Sequence, residues 1–186
     1  MAGGAASGPP RPSRVSDRHR ADPGAPGSDN GGMDRPEMAL FVGLQASGKT
    51  TFYRARLAAT HLHVSKDDFP NARRPQRRQM RMVHEALGAG LSVAVDNTNP
   101  SPEEWRPLVE AAREHGARVV GYWFPPDLPL TLERNAQRRG RRRVPDVGVH
   151  ATRKLLRRPT PADGFDEVHT VVSDGAGGFT MWPDRP

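Results

Sequence analysis

Three short stretches concentrate the residues of this chain that could do chemistry. The first, Gly43-Leu44-Gln45-Ala46-Ser47-Gly48-Lys49-Thr50, fits G-x-x-x-x-G-K-[ST] at every fixed position. Glycines at both ends let a loop curl so that successive N–H groups point into one concavity, and a helix starting near Lys49 and Thr51 adds positive potential there. In such a cradle Lys49 supplies a mobile charge for the β and γ phosphates of a nucleotide, and the Thr50 hydroxyl is placed to ligate Mg²⁺. The second stretch is Ser65-Lys66-Asp67-Asp68 and the third Asp96-Asn97-Thr98-Asn99. An alcohol attacking phosphorus needs its proton taken and its oxygen held in line, so Asp67 and Asp68 are candidates for a general base. The same two carboxylates also suit a solvated turn or a helix N-cap. Asp96 closes an apolar run, the position of a carboxylate that orients Mg²⁺-bound water or the phosphate-loop hydroxyl. Asn97 and Thr98 either contact an acceptor or satisfy the backbone of a turn.

These stretches need a scaffold that brings them to one edge. From Met38 onward short apolar runs alternate with helix-like segments, the signature of βαβ units and a parallel sheet. The runs at residues 38–44, 61–65, 91–96, 118–124 and 166–172 read as strands, and "GAGG" (175–178) turns into "FTMW" as a hairpin edge. Helices are predicted over 49–59, over 77–89 with Met80, Val83, His84 and Leu87 on one face, over 128–139 and over 146–157. "SPEE" (101–104) matches a capping box, with Ser101 as N-cap and Glu104 reaching back, while Pro107 bends or delays that helix. The fold class is therefore α/β in three layers, with a mainly parallel five-stranded sheet. Ligands of such sheets gather at the carboxyl ends of the strands, which is where all three stretches fall.

The segments "GLQASGKTTF", "VSKDD", "VAVDNTNPSPEEW", "RNAQRRGRRRVP" and "PTPADGFDEV", in this order, resemble the kinase domain of the polynucleotide 5′-hydroxyl kinase family within the P-loop NTPases. The resemblance spans Met38 to Val172. It implies an ATP- and Mg²⁺-dependent kinase with residues 43–51 on the nucleotide and Asp67 as base for the attacking hydroxyl. Asp96 then serves the metal side, through water. It further implies an Arg-rich helical lid over about residues 130–147, in which Arg134 and Arg138 face the triphosphate and Val144 helps to hold the adenine. Ser65 and Lys66 replace the family's usual Asn and Arg, and Pro70 stands where one branch has an Arg for the acceptor's phosphate. Arg73 and Arg74, with Arg77 and Arg78, lie close enough in sequence to substitute; a solvated basic helix start explains them equally well. The acceptor is thus either a nucleic-acid 5′ end or a small molecule such as a sugar, antibiotic or nucleotide, and a nucleotide-gated binding module is the reading from another class.

Composition sets outer limits. The net charge of +7 is carried almost wholly by arginine and is concentrated at residues 134–158, where ten basic side chains face one acid, Asp146. Residues 1–36 hold thirteen Gly or Pro and almost no large apolar side chain, so disorder is expected there, with the folded domain at 37–186. That segment has no apolar stretch of the kind a secretory leader needs. No apolar run reaches the roughly 18 residues of a membrane span, and the lack of cysteine excludes disulfides and suits a cytoplasmic protein. The seven histidines show no metal-ligand spacing, and no paired aromatic platform for bases is evident.

Overall fold

A computed structural model of the chain describes Met1, residues 35–175 and residues 177–184. The expected disorder of the N-terminal segment falls on residues outside these. Just before the first strand, the Arg35 guanidinium donates to the carbonyls of Gly116 and Ala117, and the Pro36 carbonyl accepts from Arg118.

Among the described residues six strands, β1 (Glu37–Val42), β2 (Leu62–Val64), β3 (Val93–Val95), β4 (Arg118–Trp123), β5 (Glu167–Ser173) and β6 (Phe179–Pro183), form one sheet in the order β2-β3-β1-β4-β5-β6. The first five are parallel, and β6 returns antiparallel along β5, with Thr170 opposite Trp182. The sheet is thus one strand wider than the five expected, because the hairpin after residue 175 pairs with β5 over its whole length. Central β1 shows why these residues choose a strand. Met38, Leu40 and Val42 pack on one face with Val83, Trp105 and Leu108, while Ala39 and Phe41 pack on the other with Phe52, Tyr122 and Phe124. Only a strand covered on both faces buries such an unbroken apolar run.

Helix α1 (Lys49–Phe52) is much shorter than expected, since the chain shifts into a π-helical turn at Tyr53–Leu57. Its Phe52 ring meets Phe41, Tyr122 and Phe124 at centroid distances of 5.2–5.9 Å, mostly edge to face. Helix α2 (Pro75–Gly88) starts at a proline suited to a first turn and buries Gln79, Val83, Ala86 and Leu87. Val83 and Leu87 of the predicted face are buried, whereas Met80 and His84 are half-buried and Gln79 and Ala86 complete the buried stripe. Helix α3 (Pro102–Glu114) runs through Pro107 without ending, but no capping box forms. Ser101 makes no side-chain cap, and the Glu104 carboxylate instead takes the Lys66 ammonium at 3.0 Å. Helices α4 (Leu128–Ala136) and α5 (Asp146–Leu155) are each shorter than predicted, and Asp127 caps the first of them by accepting from Leu130 N–H at 3.0 Å. Trp105 is buried, whereas Trp182 on edge strand β6 is 44% exposed. No helix among the described residues is long and apolar enough to cross a membrane.

Candidate active site

The loop between β1 and α1 carries two left-handed residues, Ala46 at φ 57° and Gly48 at φ 99°. Gly48 supplies that conformation at no steric cost. Gly43 is required for a different reason than curling. A Cβ there would lie 2.7 Å from the Phe124 Cβ and 3.1 Å from the Phe124 carbonyl, so the loop leaves β1 pressed against the end of β4. Gly43→Ala is expected to lower stability by about 1–3 kcal/mol, read as a drop in thermal midpoint. Leu44 and Lys49 are buried, Gln45, Ala46, Ser47 and Gly48 half-buried, and Thr50 and Thr51 exposed at the start of α1.

The Lys49 ammonium donates to the carbonyls of Gly43 (3.2 Å) and Leu44, and to the Ser47 hydroxyl (3.3 Å). Burial lowers its pKa to about 8, with Arg138 pushing the same way and the Asp96 and Asp67 carboxylates pushing back. The lysine therefore feels three of the four distant charges that sequence assigned to one site, Arg134 being the exception. The Thr50 hydroxyl donates to Asp96 Oδ2 at 2.5 Å, which joins the phosphate loop to the β3 edge.

The four residues after β3 each do separate work. Asp96, 6% exposed, accepts from Thr50 and also from His63 Nε2 at 3.1 Å. Asn97 accepts from the Lys66 N–H at 3.0 Å and donates to Gln79 at 2.8 Å. Both polar ends of Asn97 are thus committed within the chain, which makes it a brace between α2 and the Asp67 turn. The Thr98 carbonyl accepts from Gly43 N–H at 3.0 Å, and buried Asn99, at φ 39°, donates to the Phe41 carbonyl.

Ser65 starts the 3₁₀ turn Lys66–Asp68, accepting from Asp67 N–H and donating to the Asp96 carbonyl at 2.8 Å. This leaves the Asp67 side chain exposed at the same edge as Lys49. Asp68 points to His63, whose Nδ1 lies 3.1 Å from its Oδ2. Both His63 nitrogens face carboxylates, and the hydrogen bond to Asp96, foremost, raises the pKa of the ring.

Across the site, exposed Arg138 donates to the Arg142 carbonyl within the arginine loop, while Arg134 is half-buried on α4. Asn135, fully buried, holds both ends of that loop: it donates to the Val144 carbonyl at 2.6 Å and accepts from Val144 N–H at 3.1 Å. Gln45 donates to Thr152 on α5 at 2.8 Å, which ties the phosphate loop to the helix beyond. Arg73 and Arg74 are exposed just before α2 and contact none of these groups. Sequence reasoning missed His63, Gln79 and Asn135. Gln79 carried a readable signal, being an amide on an otherwise apolar helix stripe.

A β1–loop–α1 phosphate cradle with Lys, Thr and a β3 carboxylate at one sheet edge defines a P-loop nucleotide-binding α/β protein. The chain belongs to the family described as AAA domain, which it matches over residues 38–161. It is 22% identical over 141 residues to the bifunctional polynucleotide phosphatase/kinase of Schizosaccharomyces pombe, an overlap of 74% of this chain and 34% of that protein. The chain spans about a third of the length of the curated relatives it matches. Kti12 of Chaetomium thermophilum in complex with ADP-AlF3 shares the fold with a TM-score of 0.57 at 15% identity, over 74% of this chain and 89% of that one. A gluconokinase from Sinorhizobium meliloti does so with a TM-score of 0.52 at 18% identity, over 74% and 82%. The fold is that of P-loop kinases, in agreement with the resemblance carried by the five sequence segments.

Proposed function

We propose that this chain is an ATP- and Mg²⁺-dependent phosphotransferase that moves the γ-phosphate to a hydroxyl, with the 5′-hydroxyl end of a nucleic-acid strand as acceptor. The observation that carries the reading is the meeting of Lys49, Thr50, Asp96 and Asp67 at one sheet edge, with Thr50 bonded to Asp96 and both carboxylates acting on the Lys49 charge.

Residues 43–51 bind the triphosphate, through the left-handed turn at Gly48 and the Lys49 ammonium. The paired Thr50 hydroxyl and Asp96 carboxylate are hard oxygen donors of the kind Mg²⁺ takes, Asp96 acting through water. When bound, the metal neutralises charge on the phosphate oxygens. Asp67 accepts the proton of the attacking hydroxyl. The segment from about residue 130 to 147 serves as the lid, with Arg134 and Arg138 closing on the phosphates and Val144 beside the base. The domain to which this activity is assigned is residues 37–186.

The acceptor assignment rests on a cleft of about 510 Å³ lined by Ala72, Arg74, Arg77, Arg78 and Arg81, on the element that follows the Asp67 turn. Its cations have little acid around them: Arg81 faces exposed Glu85 at 3.6 Å, and Arg78 lies over the Phe69 ring. The arginine loop reaches the same side, Arg141 donating to Asn71 at 3.3 Å. A strand of phosphates suits such a cleft better than a single small anion does. The relative in fission yeast, a polynucleotide phosphatase/kinase by name, points the same way.

Incubation with γ-labelled ATP and a 5′-hydroxyl oligonucleotide, beside a panel of sugars and nucleosides, tests the proposal. Label on the oligonucleotide is the expected result. Label on a sugar or nucleoside alone makes this a small-molecule kinase, and label on none leaves a nucleotide-binding module. For the oligonucleotide, replacing Arg77 and Arg78 with Gln is expected to flatten the dependence of log K on log salt by about one to two. An unchanged slope removes the cleft from acceptor binding.

A further inference from the structure

His63 belongs to none of the motifs that define the phosphate edge, yet it touches two of its three segments. Its ring is about a quarter exposed and lies between Asp96 on the metal side and Asp68 beside the base, at 3.1 Å from a carboxylate oxygen of each. The Asp96 oxygen that it binds, Oδ2, is the one that accepts from Thr50. The result is a continuous chain from Asp68 through His63 and Asp96 to Thr50.

The ring is itself held in place. Tyr53 covers it at a centroid distance of 4.5 Å and 36° between planes, and the Tyr53 hydroxyl donates to the His61 carbonyl at 3.0 Å. Tyr53 opens the π-helical turn that replaces the rest of α1, and such turns concentrate at functional sites. The departure from α-helix thus falls on the residue that backs His63.

A carboxylate torsion has a broad, roughly two-fold profile, so a single donor leaves Asp96 free to swing. Two donors on one oxygen fix that oxygen and aim the other. We propose, building on the phosphotransferase reading, that His63 is a positioning residue: it holds the Asp96 carboxylate against Thr50 and couples it to the turn that carries Asp67. Groups behind a metal-side carboxylate act in this way by orienting it and setting its basicity.

The test uses the full chain with His63→Ala, His63→Gln and His63→Asn. A Gln amide nitrogen reaches the Nε2 position facing Asp96, and an Asn amide nitrogen the Nδ1 position facing Asp68. His63→Ala is expected to lower kcat for transfer to the acceptor by about 10–100-fold with KM for the acceptor nearly unchanged. His63→Gln should recover most of that loss and His63→Asn little of it, although the two melt at similar temperatures. Calorimetry gives a readout apart from turnover. ATP binding in EDTA should match wild type in all three variants, while the affinity gained on adding Mg²⁺ should shrink in His63→Ala and His63→Asn only. Wild-type kcat in His63→Ala, or losses in all three variants that simply follow thermal stability, would make the ring a packing residue and overturn the proposal. Should the wild-type chain label no acceptor, the phosphotransferase reading fails by itself. The Mg²⁺-dependent affinity then decides on His63 alone, and an unchanged gain in His63→Ala rejects it.

Discussion

Asp67→Asn is expected to lower phosphoryl transfer by about 10²–10⁴-fold, the range a general base contributes, while ATP affinity stays within about twofold. The turn that presents Asp67 is held by its neighbours and not by its own carboxylate. Its N–H goes to Ser65, the Lys66 N–H goes to Asn97, and Ser65 is anchored on the Asp96 carbonyl. An amide of the same shape therefore leaves the backbone where it is and removes only the ability to take a proton. Single-turnover transfer with labelled ATP reads the rate, and calorimetry reads the affinity. A variant that transfers at the wild-type rate removes Asp67 from the chemistry and moves attention to Asp68.

Lys49→Met is expected to act with opposite signs on stability and on function. The ammonium is buried, and burial leads the causes that bring its pKa down to about 8 from an ordinary value near 10.5. Between those two values the unfolded chain binds more protons than the folded one, so stability without ligand rises with pH across roughly 8 to 10.5. Below about pH 8 the full cost of the buried charge is present. Methionine fills similar space without the charge, so the variant should be more stable at neutral pH by about 1–2 kcal/mol, and its pH rise should disappear. The same change removes the charge proposed to face the β and γ phosphates, and the thermal shift produced by ATP should be lost with it. Melting curves from pH 7 to 10 with and without ATP decide both halves. A variant that melts lower than wild type at pH 7 would show that the bonds to Gly43 and Leu44 outweigh the desolvation.

The parts of the site that sequence made legible are those where spacing alone dictates geometry. A Gly-bounded loop ending in Lys-Thr after an apolar run admits one arrangement, and Asp96 at the end of a run can only stand at the strand's carboxyl edge. His63 was hidden because it sits in a strand of three residues, too short for alternation to reveal a side chain with a task. The capping box failed for an electrostatic reason: Glu104 finds the Lys66 ammonium, a long-range partner that no local pattern encodes. The end of α1 was also illegible, because Phe52 and Leu57 are five apart and a π turn, unlike an α turn, keeps both buried. Asn135 looked like one more polar residue of the arginine stretch. Its work depends on Val144, nine positions away.

That two-way bond between Asn135 and Val144 has an evolutionary corollary. It pinches the arginine segment into a loop whose neck is fixed by one buried amide and one stretch of backbone. What lies beyond the neck, residues 137–143, carries five arginines and no residue of the core. The neck thus separates the backbone of the loop from the sheet, while the charge of Arg138 within it still acts on Lys49 in the phosphate cradle. A chain built this way can change the length of its arginine loop without moving the sheet, provided that Arg138 keeps its place.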